Sequence, residues 1–490
     1  MLFSEQGFDS NRNGLTAHYT AMAQHYTSTL DYLYEQLPMY HRVGRAAYKT
    51  GLENAYRLDA YFHQPHRKYP TIHVAGTNGK GSVCHMLAAV LQQAGYRVGL
   101  HTSPHLLDFR ERIKVNGKPC SQKYIVDFVR KHREIIESIH PSFFEVSVFM
   151  AFEYFARKAV DVAIIEVGLG GRLDTTNIIT PVLSVITSIG KDHTDFLGDT
   201  LEKIAAEKAG IIKPGIPVVI GETHRETAPV FDRTAREKDA AIFYADRHYQ
   251  IDYSLFSTDG FQVFNVIREN KMFMPNLKNE LLGTYQRKNT ITVLEAVDQL
   301  RKVGFSIADI DLYKGLKKVT EMTGFRGRWQ IMGFHPRVVI DSAHNADGMR
   351  EVVKQLRETA YENLHLVISF VSDKDVRAIL CQMPEDARYY FTRSSVPRSM
   401  DEGDLKQLAD SFGLKGESYA SVEGAMQAAR AAAGDHDLIL ICGSMFLLAD
   451  FLTNQKKSSV NPWCHPIGIR WRMQRSYLQK HSEKYCSVTR

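Results

Sequence analysis

Thr71-Ile72-His73-Val74-Ala75-Gly76-Thr77-Asn78-Gly79-Lys80-Gly81-Ser82 decides how the rest of the chain is read. An apolar strand, Tyr69–Ala75, runs into a glycine-rich turn, and the turn runs into a helical pattern over Ser82–Ala94. Glycines at such a turn admit backbone angles that other residues avoid and let N–H groups approach an anion closely. The helix that follows aims its positive end at the same point. Gly76, Thr77, Asn78, Gly79, Lys80, Gly81 and Ser82 are therefore read as a polyphosphate cradle, with Lys80 bridging the β- and γ-phosphates. The loop is shorter than G-x-x-x-x-G-K-[ST], and its hydroxyl residue falls one place later, so it is a variant of that motif.

Outward from the loop, apolar strands alternate with helical stretches. Arg97–His101, Val160–Glu166, Val182–Thr187 and Pro217–Ile220 read as strands, and Tyr124–Ile139 reads as one helix. A second alternating set follows Gly324, with strands at Arg337–Asp341, His365–Phe370, Tyr389–Thr392 and Leu438–Cys442. Helices fill its intervals at Gly348–Thr359 and Ser421–Ala433. Such alternation predicts α/β domains with mostly parallel sheets. Thr323, Gly324 and Gly327 break the pattern, which puts the boundary between the two units near residue 322.

Three further clusters sit just after strands, where ligands of parallel sheets gather. Glu166 ends one strand and precedes Val167-Gly168-Leu169-Gly170-Gly171-Arg172-Leu173-Asp174. A carboxylate there suits Mg²⁺. Thr187-Ser188-Ile189-Gly190-Lys191-Asp192-His193 follows the next strand and offers His193 as a second metal ligand, although imidazole favours Mn²⁺ over Mg²⁺. Asp341-Ser342-Ala343-His344-Asn345 follows a strand of the second unit, so Asp341 and His344 are candidates to reach nucleotide or reacting groups across a cleft.

Together these stretches resemble the Mur ligase superfamily, in its folylpolyglutamate synthase/dihydrofolate synthase branch. HVAGTNGKGS from His73, TSPHLLDFRERIKVNG from Thr102, EVGLGGRLDTTN from Glu166, ITSIGKDHTDFLGDTLEKIAAEKAGIIKPG from Ile186 and DSAHNADGM from Asp341 carry the likeness, in family order across about residues 22–452. The resemblance implies a Mur-ligase-like α/β fold, with a P-loop ATPase-type N-terminal domain over 22–322 and a smaller Rossmann-like C-terminal domain over 323–455. It implies that Ser103, Glu166 and His193 hold two Mg²⁺ ions, and that Lys208 is carbamylated. Asn289, Arg328 and Asp341 match positions that contact ATP. Phe144, Glu145, Leu173, Asp174 and Thr175 lie in stretches that match the pterin-binding region. The implied activity is ligation of L-glutamate to a dihydropteroate or reduced-folate carboxylate, activated by ATP as an acyl phosphate.

Composition agrees with a folded enzyme. The chain has 490 residues, 44% of them hydrophobic, too many for one ordinary core. The net charge of +6 is misleading, because eight Lys or Arg and one acidic residue lie at 456–490, leaving the remainder close to neutral. That distribution argues against a nucleic-acid partner for the body. Six scattered cysteines form no C-x-x-C pair and are expected reduced. No apolar run spans a membrane and no signal-peptide pattern opens the chain, so a cytoplasmic enzyme is expected; a monomer is expected as well. Residues 1–21 read as a polar extension, with Met22 as an alternative start, and 456–490 as a basic tail. Two other readings remain open: another Mur-type amino-acid ligase, and a nucleotide-binding switch without ligase activity. Glutamate-dependent ADP release separates the switch from either ligase.

Overall fold

The computed structural model describes residues 9–38 and 51–457. The N-terminal sheet has eight strands: β1 Thr71–Ala75, β2 Val98–His101, β3 Ile113–Val115, β4 Lys118–Pro119, β5 Val162–Glu166, β6 Leu183–Ile186, β7 Val218–Ile220 and β8 Ile242–Tyr244. Their order is β4-β3-β2-β5-β1-β6-β7-β8, parallel except at β3 and β4. β1 lies between β5 and β6, with Val74 opposite Glu166 and Ala75 opposite Ile186. This register sets the phosphate loop, Glu166 and the Thr187–His193 stretch side by side at one end of the sheet.

β1 and β5 are buried at every position, as expected of central parallel strands covered on both faces. The helix Lys80–Gln93 behind the loop is buried from Ser82 to Leu91. It packs between the sheet and the helices Gln286–Lys302 and Asp309–Leu316, which explains an apolar sequence around its whole circumference. A fully buried Leu or Val there contributes about 1.5–3 kcal/mol.

A three-stranded antiparallel sheet follows, β9 Tyr249–Phe256, β10 Gln262–Arg268 and β11 Lys271–Asn279. The C-terminal sheet contains β12 Gln330–Phe334, β13 Arg337–Ile340, β14 Leu364–Ile368, β15 Arg388–Thr392, β16 Gly416–Tyr419 and β17 Leu438–Cys442, in the order β12-β13-β17-β14-β15-β16. Only β12 is antiparallel.

Two elements differ from the sequence reading. The helix expected over Tyr124–Ile139 is two helices, Gln122–Lys131 and Arg133–Ile139. His132 leaves the helical path between them (φ −109°, ψ 17°), and its ring packs among Tyr61, Phe62 and Phe128. The stretch before residue 22 is not irregular throughout, because one helix runs Asp9–Gln36. Its later part is anchored by buried Leu33 and by the Tyr26 hydroxyl, which donates to Asp108. The expected tail lies outside the described residues from 458 onward. Between the two units the chain passes through Gly324 and Gly327, both at positive φ (67° and 77°).

Candidate active site

The phosphate loop is held by the strand-end stretch after β6. The Thr77 amide donates to the Ser188 carbonyl (2.7 Å), and the Thr77 hydroxyl donates to the Gly190 carbonyl (3.0 Å). The Thr187 hydroxyl donates to the Asn78 carbonyl (2.6 Å). Two glycines are required by space as well as by angle. A Cβ on Gly76 (φ +149°) would lie 1.9 Å from Thr187 Oγ1, and one on Gly79 (φ +89°) would lie 2.3 Å from Asn289 Oδ1. Asn289 thus backs the loop, and its own amide donates to Gln286 (2.8 Å), which in turn donates to Ser82 (3.2 Å).

Two lysines converge here. Lys80 Nζ donates to the Gly76 carbonyl (3.0 Å) and to that of Thr77 (3.3 Å). Lys208 Nζ, from the helix Leu201–Ala209, donates to the same Gly76 carbonyl (3.0 Å). Lys208 is 3% exposed, and burial, reinforced by the Lys80 charge, lowers its pKa to about 7. The residue sits inside the site and is an uncommonly easy lysine to deprotonate.

Glu166 is also buried. Its Oε2 accepts the Ser103 amide (3.1 Å), so the structure joins these two expected metal residues. Burial raises the Glu166 pKa to about 6 against the opposing pull of Lys80. A carboxylate this costly to ionise is one that a divalent cation would stabilise, and its hard oxygen donors suit Mg²⁺ or Mn²⁺. His193, the third expected ligand, occupies a left-handed conformation (φ 52°) at the start of the short helix Thr194–Leu197. Burial lowers its pKa to about 3, so it is neutral, as a ligand must be. Among the described residues no three His, Cys, Asp or Glu side chains form a ready-made metal cluster.

The second domain supplies the other wall. Asp341, at the end of β13, is buried, and burial raises its pKa against hydrogen bonds from Tyr285 and from backbone amides. Tyr285 donates to Oδ2 (2.6 Å), as does the Trp329 amide (2.8 Å), while the Ala343 amide donates to Oδ1 (2.9 Å). Arg328 contacts the Ser342 hydroxyl, and its guanidinium lies 5.6 Å from the Phe325 ring centroid. Asp341 therefore fixes the turn that carries Arg328 and His344.

Asp192, Asn345 and Lys374 were not among the expected site residues, yet they join the domains. Asn345 and Asn78 exchange amide hydrogen bonds (3.1 and 3.2 Å). Asn345 also donates to Asp192 (3.1 Å), and Lys374 pairs with Asp192. His344 Nε2 lies 3.4 Å from Asp192. Burial alone would raise the Asp192 pKa, but it sits well below the carboxylate range because of the His344 hydrogen bond and the neighbouring cations. Since His193 is held neutral, Lys374 is the cation that matters. Asp192 was legible in the same motif as His193; Lys374 had no local signal.

Of the expected pterin residues, Leu173, Asp174 and Thr175 are consecutive at one turn and Phe144 lies against it, while Glu145 follows Phe144 on the helix Phe143–Arg157. Phe144 lies over Gly168, where a Cβ would come within 2.5 Å of the ring. Leu173 and buried Thr175 flank Asp174. Two of the five side chains have their oxygens committed internally. Glu145 closes a capping box with Ser142 at the start of the helix Phe143–Arg157. Asp174 accepts the amides of Gly168 (3.0 Å), Leu169 (2.9 Å) and Thr176 (2.9 Å), and the Thr176 hydroxyl (2.5 Å). Asp174 thereby holds the turn, and Glu145 holds the start of the helix that carries Phe144.

Comparison with known proteins agrees with this architecture. The Mur ligase middle domain matches residues 74–297, and the Mur ligase glutamate ligase domain matches residues 327–445. A dihydrofolate synthase/folylpolyglutamate synthase of Bacillus subtilis is 34% identical over 413 residues, 82% of this chain and 94% of that protein. Escherichia coli FolC in complex with DHPP and ADP superposes with a TM-score of 0.77 at 29% identity, covering 88% of this chain and 97% of that one. A bifunctional folylpolyglutamate synthase/dihydrofolate synthase with Mn, AMPPNP and L-glutamate bound gives 0.75 at 28% identity, covering 88% and 98%. The chain belongs to the folylpolyglutamate synthase/dihydrofolate synthase family of Mur ligases.

Proposed function

We propose that the protein ligates L-glutamate to the carboxylate of dihydropteroate, of a reduced folate, or of both, using ATP and releasing ADP and phosphate. The observation that carries this reading is the clasp of Asn345 and Asn78. It brings the second-domain residues Arg328, Asp341 and His344 to the same end of the sheet as Lys80, Lys208 and Glu166. A nucleotide on the loop would then be enclosed by both domains, and an acyl phosphate formed there would be shielded from water.

The chain's own residues do positioning and charge work. The substrate carboxylate attacks the γ-phosphate, forming an acyl phosphate and ADP. The glutamate amine then attacks the acyl carbon and expels phosphate. Loop amides and Lys80 hold the phosphates, which is most of what phosphoryl transfer asks of a protein. Glu166 and Ser103, with His193, would hold two Mg²⁺ ions or Mn²⁺. Such ions neutralise phosphate charge when bound. Lys208 is read as carbamylated: its neutral amine attacks CO₂, a C–N bond forms, the nitrogen loses a proton, and a buried cation becomes an anion. A pKa near 7 makes the neutral amine abundant, which supports this reading. Phe144, Leu173 and Thr175, on the frame held by Glu145 and Asp174, form the pterin slot.

The protein is read as a monomer of the cytoplasm, where an ATP-dependent folate ligase has its substrates. No described helix is long and apolar enough to cross a membrane. The test is a product assay with dihydropteroate and tetrahydrofolate monoglutamate side by side. Glutamate-dependent ADP release with a ligated product is expected. ADP release indifferent to glutamate, or no product from either substrate, overturns the reading.

A further inference from the structure

His73 lies in the middle of β1, fully buried, where its neighbours Ile72 and Val74 are aliphatic. An imidazole there costs stability that another aliphatic side chain would not, unless its polar atoms are used. One of them is. His73 Nε2 lies 2.8 Å from Thr176 Oγ1, and Thr176 Oγ1 lies 2.5 Å from Asp174 Oδ1.

The direction of these bonds follows from proton counting. Four donors converge on the two Asp174 oxygens, the arrangement a carboxylate needs. The Thr176 hydroxyl has one proton and gives it to Asp174, so it must accept from His73. Burial, with Lys213 adding to it, lowers the His73 pKa to about 3, so the ring is neutral and carries one N–H. That N–H is on Nε2. Nδ1 is left as a buried lone pair without a partner among the described residues.

We infer that His73 is a positioning residue for the substrate slot, acting through Thr176 and Asp174 on the Gly168–Asp174 turn that lies under Phe144. The inference rests on the reading of Phe144 and Leu173–Thr175 as the pterin slot. Asp174 ties the amides of Gly168 and Leu169 to the start of the short helix Thr175–Ile178. Without the His73 donor, the Thr176 hydroxyl is free to rotate, and one of the four donors on the carboxylate loses its fixed direction. The far half of the turn is tied to the helix Leu201–Ala209 by the Arg172 amide on the Glu207 carbonyl (2.8 Å), whereas Gly168 and Leu169 are held by Asp174. The phosphate loop leaves β1 on the same side as Thr187 and Ser188, which take no part in this chain of bonds.

The test is the steady-state KM for dihydropteroate, ATP and glutamate in His73→Leu, His73→Gln, Thr176→Val and the double variant His73→Leu/Thr176→Val. His73→Leu should raise the dihydropteroate KM about 10-fold and leave the ATP and glutamate values within about twofold. Gln places a donor near the position of Nε2, so His73→Gln should recover most of the loss. The double variant should be no worse than Thr176→Val alone, because one pathway is cut twice. If His73→Leu does not fold, the isosteric Thr176→Val with His73→Gln carries the comparison. An unchanged dihydropteroate KM in His73→Leu overturns the inference, as do parallel changes in all three KM values or additive losses in the double variant. Phe144→Ala separates the two levels. If it leaves the dihydropteroate KM unmoved, the slot reading fails and the inference with it; if it moves that KM and His73→Leu does not, only the inference fails.

Discussion

Lys208→Met should stabilise the protein while abolishing its activity. The lysine is buried with its pKa lowered to about 7 from 10.5, so folding at neutral pH requires it to give up much of its charge. The unfolded chain then binds more protons than the native one between pH 7 and 10.5. Stability therefore rises with pH across that window, and the Lys208 penalty is largest at its acid end. Integrating between the two pKa values gives a penalty of about 4 kcal/mol at pH 7, falling to about 1 kcal/mol near pH 9.5. The hydrogen bond from Nζ to Gly76 offsets about 1 kcal/mol of it. Methionine fills the same space without charge, so the variant should gain about 3 kcal/mol at pH 7 and almost nothing at pH 9.5. The assay is urea unfolding of both proteins across that range in chelated, CO₂-depleted buffer, following the transition that includes the N-terminal domain. A constant difference at all pH values, or a variant less stable than the parent at pH 7, refutes the reasoning. Adding bicarbonate with Mn²⁺ should then stabilise the parent alone.

Lys80→Ala should keep the fold and lower kcat by about 100-fold or more, since the γ-phosphate loses its protein cation; circular dichroism and ADP release check the two halves. In Glu166→Gln the Mg²⁺ or Mn²⁺ concentration for half-maximal rate should rise by about 10-fold or more, read from a metal titration at saturating ATP, and an unchanged titration makes Glu166 structural. Asp192→Asn keeps the Asn345 contact but strands the half-buried Lys374 charge, so kcat/KM for glutamate-dependent turnover should fall while ADP binding by calorimetry persists. Stability should drop by about 1–3 kcal/mol in urea unfolding of the C-terminal domain. An Asp192→Asn protein with unchanged turnover and stability would remove the interdomain role.

Local sequence was enough wherever backbone geometry and neighbouring residues alone set the outcome. The strand–turn–helix at 71–93 is contiguous, and its glycines are dictated by φ and by the few atoms they face, so the phosphate loop was readable outright. The placement of Glu166 and His193 at one end of the sheet was readable because parallel strands put their carboxyl ends together whatever else surrounds them. Ser142-Phe143-Phe144-Glu145 is a legible capping signature, and the structure closes it as a capping box. The single helix expected over 124–139 overlooked His132, whose ring finds its aromatic partners only in three dimensions. The antiparallel strands β9–β11 were missed because their faces mix buried and exposed side chains without the clean apolar runs of the central sheet. What only the tertiary structure decided is pairing over long chain separations. Asn78 meets Asn345 across 267 positions, Asp192 meets Lys374 across 182, and His73 meets Thr176 across 103. Sequence sets which groups can donate, accept or carry charge. Burial and approach, which set whether Lys208 is a surface cation or an amine with a pKa near 7, are properties of the packed whole.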